Sequence, residues 1–284
     1  MADGSLALAE FLRARRNVCQ PEDVGIHRGP RRRVPGLRRD EVARIAGISA
    51  EYYLRLEQGR GSRPSDQVLN AIARALLLDA DSRQYLFRIA SGDIPSPVVP
   101  DAESAERIAR LLGHWTHTPA YVSDSNRDIV AANPLATVFG QGGLAVGSNV
   151  VLDLFVPRMK RTVTEWELMT RAALASLRRD ADPSSPRLQQ IIDELSGDPD
   201  FVRLWSRYDV SGPEEARIHM VVENIGTLEV ELANLAVRSM PGYLLTVLSA
   251  PPRSSTAIVF ASLAASLKAA SGKADAGERE DTLR

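Results

Sequence analysis

The sequence predicts a chain of two folded parts, an all-helical bundle followed by an α+β domain built around an antiparallel sheet. Three observations predict it. Residues 1–92 break into short amphipathic segments of helical period, with no strand-like run among them. "SGDIPSPVVPDAES" at 91–104 then carries three prolines and no apolar period, which marks a joint between domains. Beyond it, β-prone runs stand at both ends of a helical middle, the order expected when helices segregate from an antiparallel sheet. A length of 284 residues suits about two domains.

The elements follow in order. Residues 5–16 form an expected helix with the apolar stripe Leu6, Leu8, Ala9 and Leu12. A polar connection runs from Asn17 to Gly36 and contains "HRGPRRR". Helices are expected near 37–46, 49–58, 66–77 and 80–90, which makes a five-helix domain over 1–92 and a linker over 93–104. The second domain spans 105–269. It opens with a helix over 105–115, and "AYVSDSNRDIVAAN" (120–133) reads as a hairpin turning at Asp124–Arg127. Pro134 suits a first helical turn and Gly140 its stop. Helices follow near 164–179, 186–195 and 198–207, then the strands "RIHMVV", "TLEVELANLAV" and "YLLTVLSA", and a closing helix over 255–269. Residues 270–284 have little to bury and are expected to be a disordered tail.

The net charge of −1 hides an asymmetry. Residues 1–92 hold 16 Arg, no Lys and 11 acidic side chains, for +5, and the remainder carries −6. A basic N-terminal third points to a polyanion as partner. Cys19 is the only cysteine, which argues against disulfides and for a cytoplasmic chain. Its basic neighbourhood could lower the thiol pKa, although a redox role is the lesser reading. The N-terminal "MADGSLALAEFLRARR" places its positive charge after the apolar residues, the reverse of a secretory signal. The apolar run "AIVFASLAASL" at 257–267 is too short to span a bilayer, so no membrane association is expected.

Within the basic third, "LRRDEVARIAG" is expected to bury Leu37, Val42, Ile45 and Ala46, with the small Ala43 at a helix crossing. Gly47 provides a turn able to take positive φ. Ser49 is placed as N-cap of the next helix and Gly59 as its stop. On a helical wheel Ala50, Leu54, Gln58, Glu51 and Arg55 share an arc of roughly 140°, while Tyr52, Tyr53, Leu56 and Glu57 fill the opposite side. This is the helix-turn-helix pattern, whose second helix enters the major groove. A bare carboxylate on Glu57 facing inward would be costly, so an arginine of the first helix, Arg16 before Arg13, is expected to pair with it.

The stretch "FLRARR…RRRVPGLRRDEVARIAGISAEYYLRLEQG…RPS" resembles the DNA-binding region of the XRE (phage-repressor-like) superfamily and, more narrowly, the MmyB-like transcription regulators. The resemblance implies a five-helix bundle with base contacts on the first turns of the second motif helix, at Ser49, Ala50, Glu51 and Arg55. The chemistry suits that placement. Arg55 can bridge guanine O6 and N7, Glu51 can accept from cytosine N4, and Ala50 can touch a thymine methyl. Arg38, Arg39, Tyr52, Arg60 and Arg63 are expected on the DNA backbone, setting register. Arg31, Arg32 and Arg33 are expected to follow the backbone or enter the minor groove, as basic arms do.

No enzyme motif stands in the second part, which contains neither GxSxG nor HExxH. "GQGGLAVG" at 140–147 lacks dinucleotide-loop spacing and reads as a plain loop. His114 and His117 are spaced to share a metal but have no further ligand nearby. "AYVSDSNRDIVAANPLATVFG" resembles the opening of a PAS-like domain, and "FVRLWSRYDV" (201–210), with Trp166, resembles the MmyB-like ligand-binding domain. "RIHMVVENIGTLEVEL" departs from that family's tighter His-Pro-…-Gly pattern, with Met220 after His219. The resemblance implies a bound fatty acid or similar apolar molecule and no other cofactor, with Phe139, Trp166, Arg203, Trp205, Tyr208 and His219 as candidate lining. Arg203 or Arg207 would meet a carboxylate.

The function expected from these residues is a DNA-binding transcription regulator, not an enzyme. It would work as a homodimer on double-stranded DNA, respond to an apolar small molecule, and have RNA polymerase as a further possible partner. Two alternatives stay open at this point: a second domain that serves only as a protein-interaction module, and a lipid-acting enzyme that borrowed a DNA-binding domain.

Overall fold

The computed structural model describes residues 2–27, 32, 34–60, 63–92, 102–211 and 215–281. Its contacts divide the chain into two compact units. The first holds residues 1–96 together with 174–212, and the second holds 97–173 together with 213–284.

In the first unit, α1 (Ala2–Val18), α2 (Arg39–Ala46), α3 (Ala50–Glu57), α4 (Asp66–Ala75) and α5 (Ala80–Ser91) form the expected five-helix bundle. Their core gathers Phe11, Leu12, Leu37, Val42, Tyr53, Leu69, Ile72 and Leu86. Each helix from α3 to α5 begins on a side-chain cap. Ser49 accepts from Tyr52 N–H at 3.1 Å, Ser65 from Val68 N–H at 3.4 Å and Asp79 from Ser82 N–H at 2.8 Å. These caps satisfy amide donors that a helix start leaves unpaired.

Ile45 departs from expectation: it is 39% exposed, and the stripe buried by α2 is Val42, Ala43 and Ala46. The connection from Asn17 holds a 3-10 turn at Pro21–Val24. It closes where Leu37 N–H donates to Arg16 O at 3.0 Å. A Cβ on Gly36 would lie 2.2 Å from that carbonyl oxygen, so only glycine lets the chain approach the end of α1 this closely.

The unit also includes the C-terminal turns of α10 (Trp166–Asp180), α11 (Pro186–Leu195) and α12 (Pro199–Trp205). Sequence boundaries at 92 and 105 do not anticipate this grouping. Leu188, Ile191 and Leu195 form the buried stripe of α11, and Phe201 and Leu204 that of α12.

The second unit is built on a five-stranded antiparallel sheet in the order β2-β1-β5-β4-β3. Its strands are β1 (Ala120–Ser123), β2 (Ile129–Ala132), β3 (Ala216–Val222), β4 (Gly226–Ala236) and β5 (Leu244–Ser249). The β1–β2 hairpin turns where expected, and Asp124 Oδ1 accepts from Asn126 N–H at 2.8 Å and Asp128 N–H at 2.9 Å. β5 is central, and its Leu244, Thr246 and Leu248 are buried on one face in alternation. Asn133 is buried at the start of α7 (Pro134–Phe139). It accepts from Ala136 and Ala120 N–H and donates to Trp115 O and Thr118 O.

The unit is completed by α6 (Ala102–Gly113), two short helices, α8 (Val150–Phe155) and α9 (Pro157–Thr162), the start of α10, and α13 (Ser255–Asp281). Phe260 of α13 meets Phe139 edge to face, with centroids 5.0 Å apart. The sequence did not announce α8 or α9. The backbone of α13 continues as helix to Asp281, where residues from 270 on were expected to be disordered. Extending a helix already nucleated costs far less than starting one, and "KADAGERED" is rich in good helix formers. Residues 93–101 of the expected linker lie outside the described residues.

Candidate nucleic-acid interface

The helix-turn-helix forms as its sequence requires. α2 ends at Gly47, whose φ of 68° lies in the left-handed region, and the chain turns directly into the Ser49 cap of α3. Behind α3, Tyr53 is fully buried, and burial pushes its phenol pKa well up. Glu57 is 2% exposed and held from two sides. Arg16 Nε lies 2.5 Å from Oε1, and Arg39 Nε 2.6 Å from Oε2. Arg16 also donates to Leu37 O at 2.9 Å. The expected pairing of Arg16 with Glu57 is therefore present, and α1, α2 and α3 meet on one carboxylate. Ion pairing and hydrogen bonding together offset the cost of burying that charge.

Facing outward on α3 are Ser49, Ala50, Glu51, Arg55 and Gln58, all exposed. Arg55 lies over the half-buried Tyr52 ring, 5.9 Å from its centre. Arg38, Arg60 and Arg63 are exposed and carry no ion pair among the described residues, and the side chain of Arg39 remains half exposed beside Glu57. Gln58 shares the arc of Glu51 and Arg55, and its amide could pair with adenine N6 and N7. The wheel already placed it there. Arg44, exposed in the last turn of α2, is a further cation with no ion pair among the described residues.

Arg32 is a correction. It was expected to track DNA, but its side chain is only 5% exposed. Its Nη1 and Nη2 grip Glu41 at 2.8 and 2.6 Å, and Nη2 also donates to Gly36 O at 2.6 Å. Glu41 in turn accepts from Arg38 N–H at 2.7 Å, at the start of α2. The Arg32 hydrogen bonds hold the Glu41 carboxyl below its ordinary value. Arg32 therefore braces the entry to the motif. Arg31 and Arg33 lie outside the described residues. Cys19 also departs from expectation, since burial first and Asp23 second push its thiol up.

The six residues expected to line a ligand pocket divide between the two units, three in each. Phe139 and Trp166, like Met159, Met169 and Met220, are partly buried and pack against the buried core of the second unit. Trp166 donates from Nε1 to Leu154 O at 2.6 Å and meets Phe155 edge to face. His219, on β3, places its backbone N–H and its Nδ1 each 2.8 Å from the Glu165 carboxylate. Those bonds hold Glu165 below its ordinary value.

Trp205 and Tyr208 lie in the first unit, where their rings flank the Arg178 guanidinium at 3.7 and 4.3 Å. Arg203 is half exposed and pairs with Asp200 at 3.1 Å, and Arg207 pairs with Asp209 at 2.9 Å. Arg178 could not be singled out beforehand, because an arginine in "SLRRD" does not show which rings it will meet.

Among the described residues, no helix is long and apolar enough to cross a membrane. No curated protein matches the chain. A helix-turn-helix domain model matches residues 7–86, from within α1 to within α5. The MmyB-like transcription regulator ligand binding domain matches residues 105–263. That match takes in more than half of the chain. The chain therefore belongs to the MmyB-like transcription regulators.

Proposed function

We propose that this regulator reads a specific operator as a homodimer and that its second unit binds a fatty-acid-like molecule that alters DNA affinity. The observation that carries the DNA side is the exposed arc of α3, with Ser49, Ala50, Glu51 and Arg55 outward and Tyr53 and Glu57 anchored behind. Ser49, Ala50, Glu51 and Arg55 meet base edges in this reading. Arg38, Arg39, Tyr52, Arg60 and Arg63 meet phosphates. Arg32 is left out because Glu41 occupies it.

The ligand side is supported by Phe139, Trp166, Met159, Met169 and Met220, apolar side chains that pack against the core of the second unit yet are only partly buried. Methionines reshape readily around an apolar chain. Lys160, with its ammonium 5.0 Å from the Trp166 ring centre, supplies a cation for a carboxylate. His219, next to Met220, supplies a polar group. A ligand alters DNA binding only through unequal affinity for two states of the protein.

Selection of DNA by the full chain from a random duplex pool tests the first part. Enrichment of a near-palindrome with half-sites about 10–10.5 base pairs apart is expected of a dimer, and a pool left without enrichment would refute sequence reading. Mass spectrometry of an organic extract of the purified protein tests the second. A stoichiometric acyl carboxylate released on unfolding is expected, and its absence, with no shift in DNA affinity on adding fatty acids, would refute it.

A further inference from the structure

Residues 174–212 lie inside the range matched by the ligand-binding domain, yet they pack within the unit that carries α3. Val210 is 3% exposed and sits in the bundle core, and its carbonyl accepts from Ser82 Oγ at 3.4 Å. Arg178, flanked by the Trp205 and Tyr208 rings, donates to Trp205 O at 2.7 Å and Asp209 O at 3.1 Å. Tyr208 has a backbone φ of 52°, a region that a bulky ring rarely adopts, so the surrounding contacts hold it there.

Two side chains reach from this held corner to α1. The Tyr208 hydroxyl donates to the Glu10 carboxylate. Asp209 Oδ1 pairs with Arg15 Nη1 at 3.1 Å. The next residue of α1 is Arg16, which holds Glu57 at the end of α3.

We infer that residues 205–210 form a latch on α1 that sets the position of the recognition helix, so that Tyr208 and Asp209 are positioning residues for DNA reading. The latch acts through a short series of contacts, Tyr208 to Glu10, Asp209 to Arg15, and Arg16 to Glu57. A shift of α1 carries Arg16 with it and moves the carboxylate that fixes the last turn of α3. The segment is continuous in sequence with the second unit at both ends, at residues 173 and 213. The inference rests on α3 being the DNA-reading element.

The test compares binding of the full chain to its selected operator and to a random duplex of equal length, by fluorescence anisotropy. Tyr208→Phe keeps the ring on Arg178 and removes only the hydroxyl. Asp209→Asn weakens the hold on Arg15, and Glu10→Gln weakens the same latch from the α1 side. Val202→Ala, on the exposed face of α12, serves as control.

The three latch variants are expected to lose operator-over-random preference by about fivefold or more while random-duplex binding stays level. Val202→Ala is expected to behave as wild type, and Tyr208→Phe with Glu10→Gln to lose no more than either alone. An unchanged preference would overturn the inference. So would an equal loss on both duplexes that tracks the unfolded fraction by circular dichroism, since that assigns the residues to folding alone. A wild-type chain with no operator preference would instead remove the DNA-reading function itself, and the latch with it.

Discussion

Arg16 and Glu57 meet across the bundle interior, Nε to Oε1 at 2.5 Å, with both side chains almost wholly withdrawn from water. Removing one partner strands the other's charge in that interior. Glu57→Ala is expected to destabilise the first unit by about 3–5 kcal/mol. Urea unfolding followed by circular dichroism measures this, and a loss under about 1 kcal/mol would show that water reaches Arg16 and compensates freely.

Arg55 has no carboxylate partner among the described residues and lies on the outward arc of α3. Arg55→Ala is expected to cost about 1–3 kcal/mol on the operator and to relax preference at one base position. Competition binding against operators varied one base pair at a time resolves it. An equal loss on every sequence would move Arg55 to the phosphates.

Arg60 and Arg63 are expected to contribute mainly by neutralising phosphates. Neutralising each should lower the magnitude of the log–log salt slope by about 0.9 and weaken all sequences alike. Titrations across a salt series check this, and an unaltered slope would mean that neither cation reaches the backbone.

Ser49 combines a helix cap with an expected base contact. Ser49→Ala is expected to cost about 1 kcal/mol of stability as well as affinity. Ser49→Asp should restore the cap, because its carboxylate can accept from Tyr52 N–H, yet leave operator binding impaired beside the DNA anion. Thermal melts and binding titrations on both variants separate the two roles.

Glu41 titrates with a defined sign. Its folded pKa lies below the ordinary 4.5 because Arg32 hydrogen-bonds the carboxylate. The stability it adds is therefore complete above 4.5 and disappears as pH falls through the depressed folded value. Glu41→Gln is expected to flatten this part of the acid limb in unfolding measurements between about pH 5 and 2. A variant with the wild-type acid profile would show that the pair contributes nothing to stability.

Much of the fold was legible because its signals are local. Ser49, Asn133 and the Asp124 turn each carry their own hydrogen-bonding chemistry, and the strands read from alternation. The recognition arc followed from helical period alone, as did the inward face that requires a partner for Glu57. α8 and α9 were not legible, since six residues do not complete a periodic stripe. Arg32 looked like one more exposed cation in an arginine run, and only the fold brings Glu41 to it. The stripe of α11 predicts a buried face but not the neighbour that buries it, so the membership of 174–212 stayed hidden.

Val210 fills a place among Leu8, Phe11 and Tyr85, although more than a hundred residues separate it from α5. A chain cut at the apparent boundary near residue 92 would lack part of its own interior and expose an oily gap. Truncated versions made for binding studies should therefore be poorly soluble or loosely folded, and supplying the missing piece as a separate peptide should mend them.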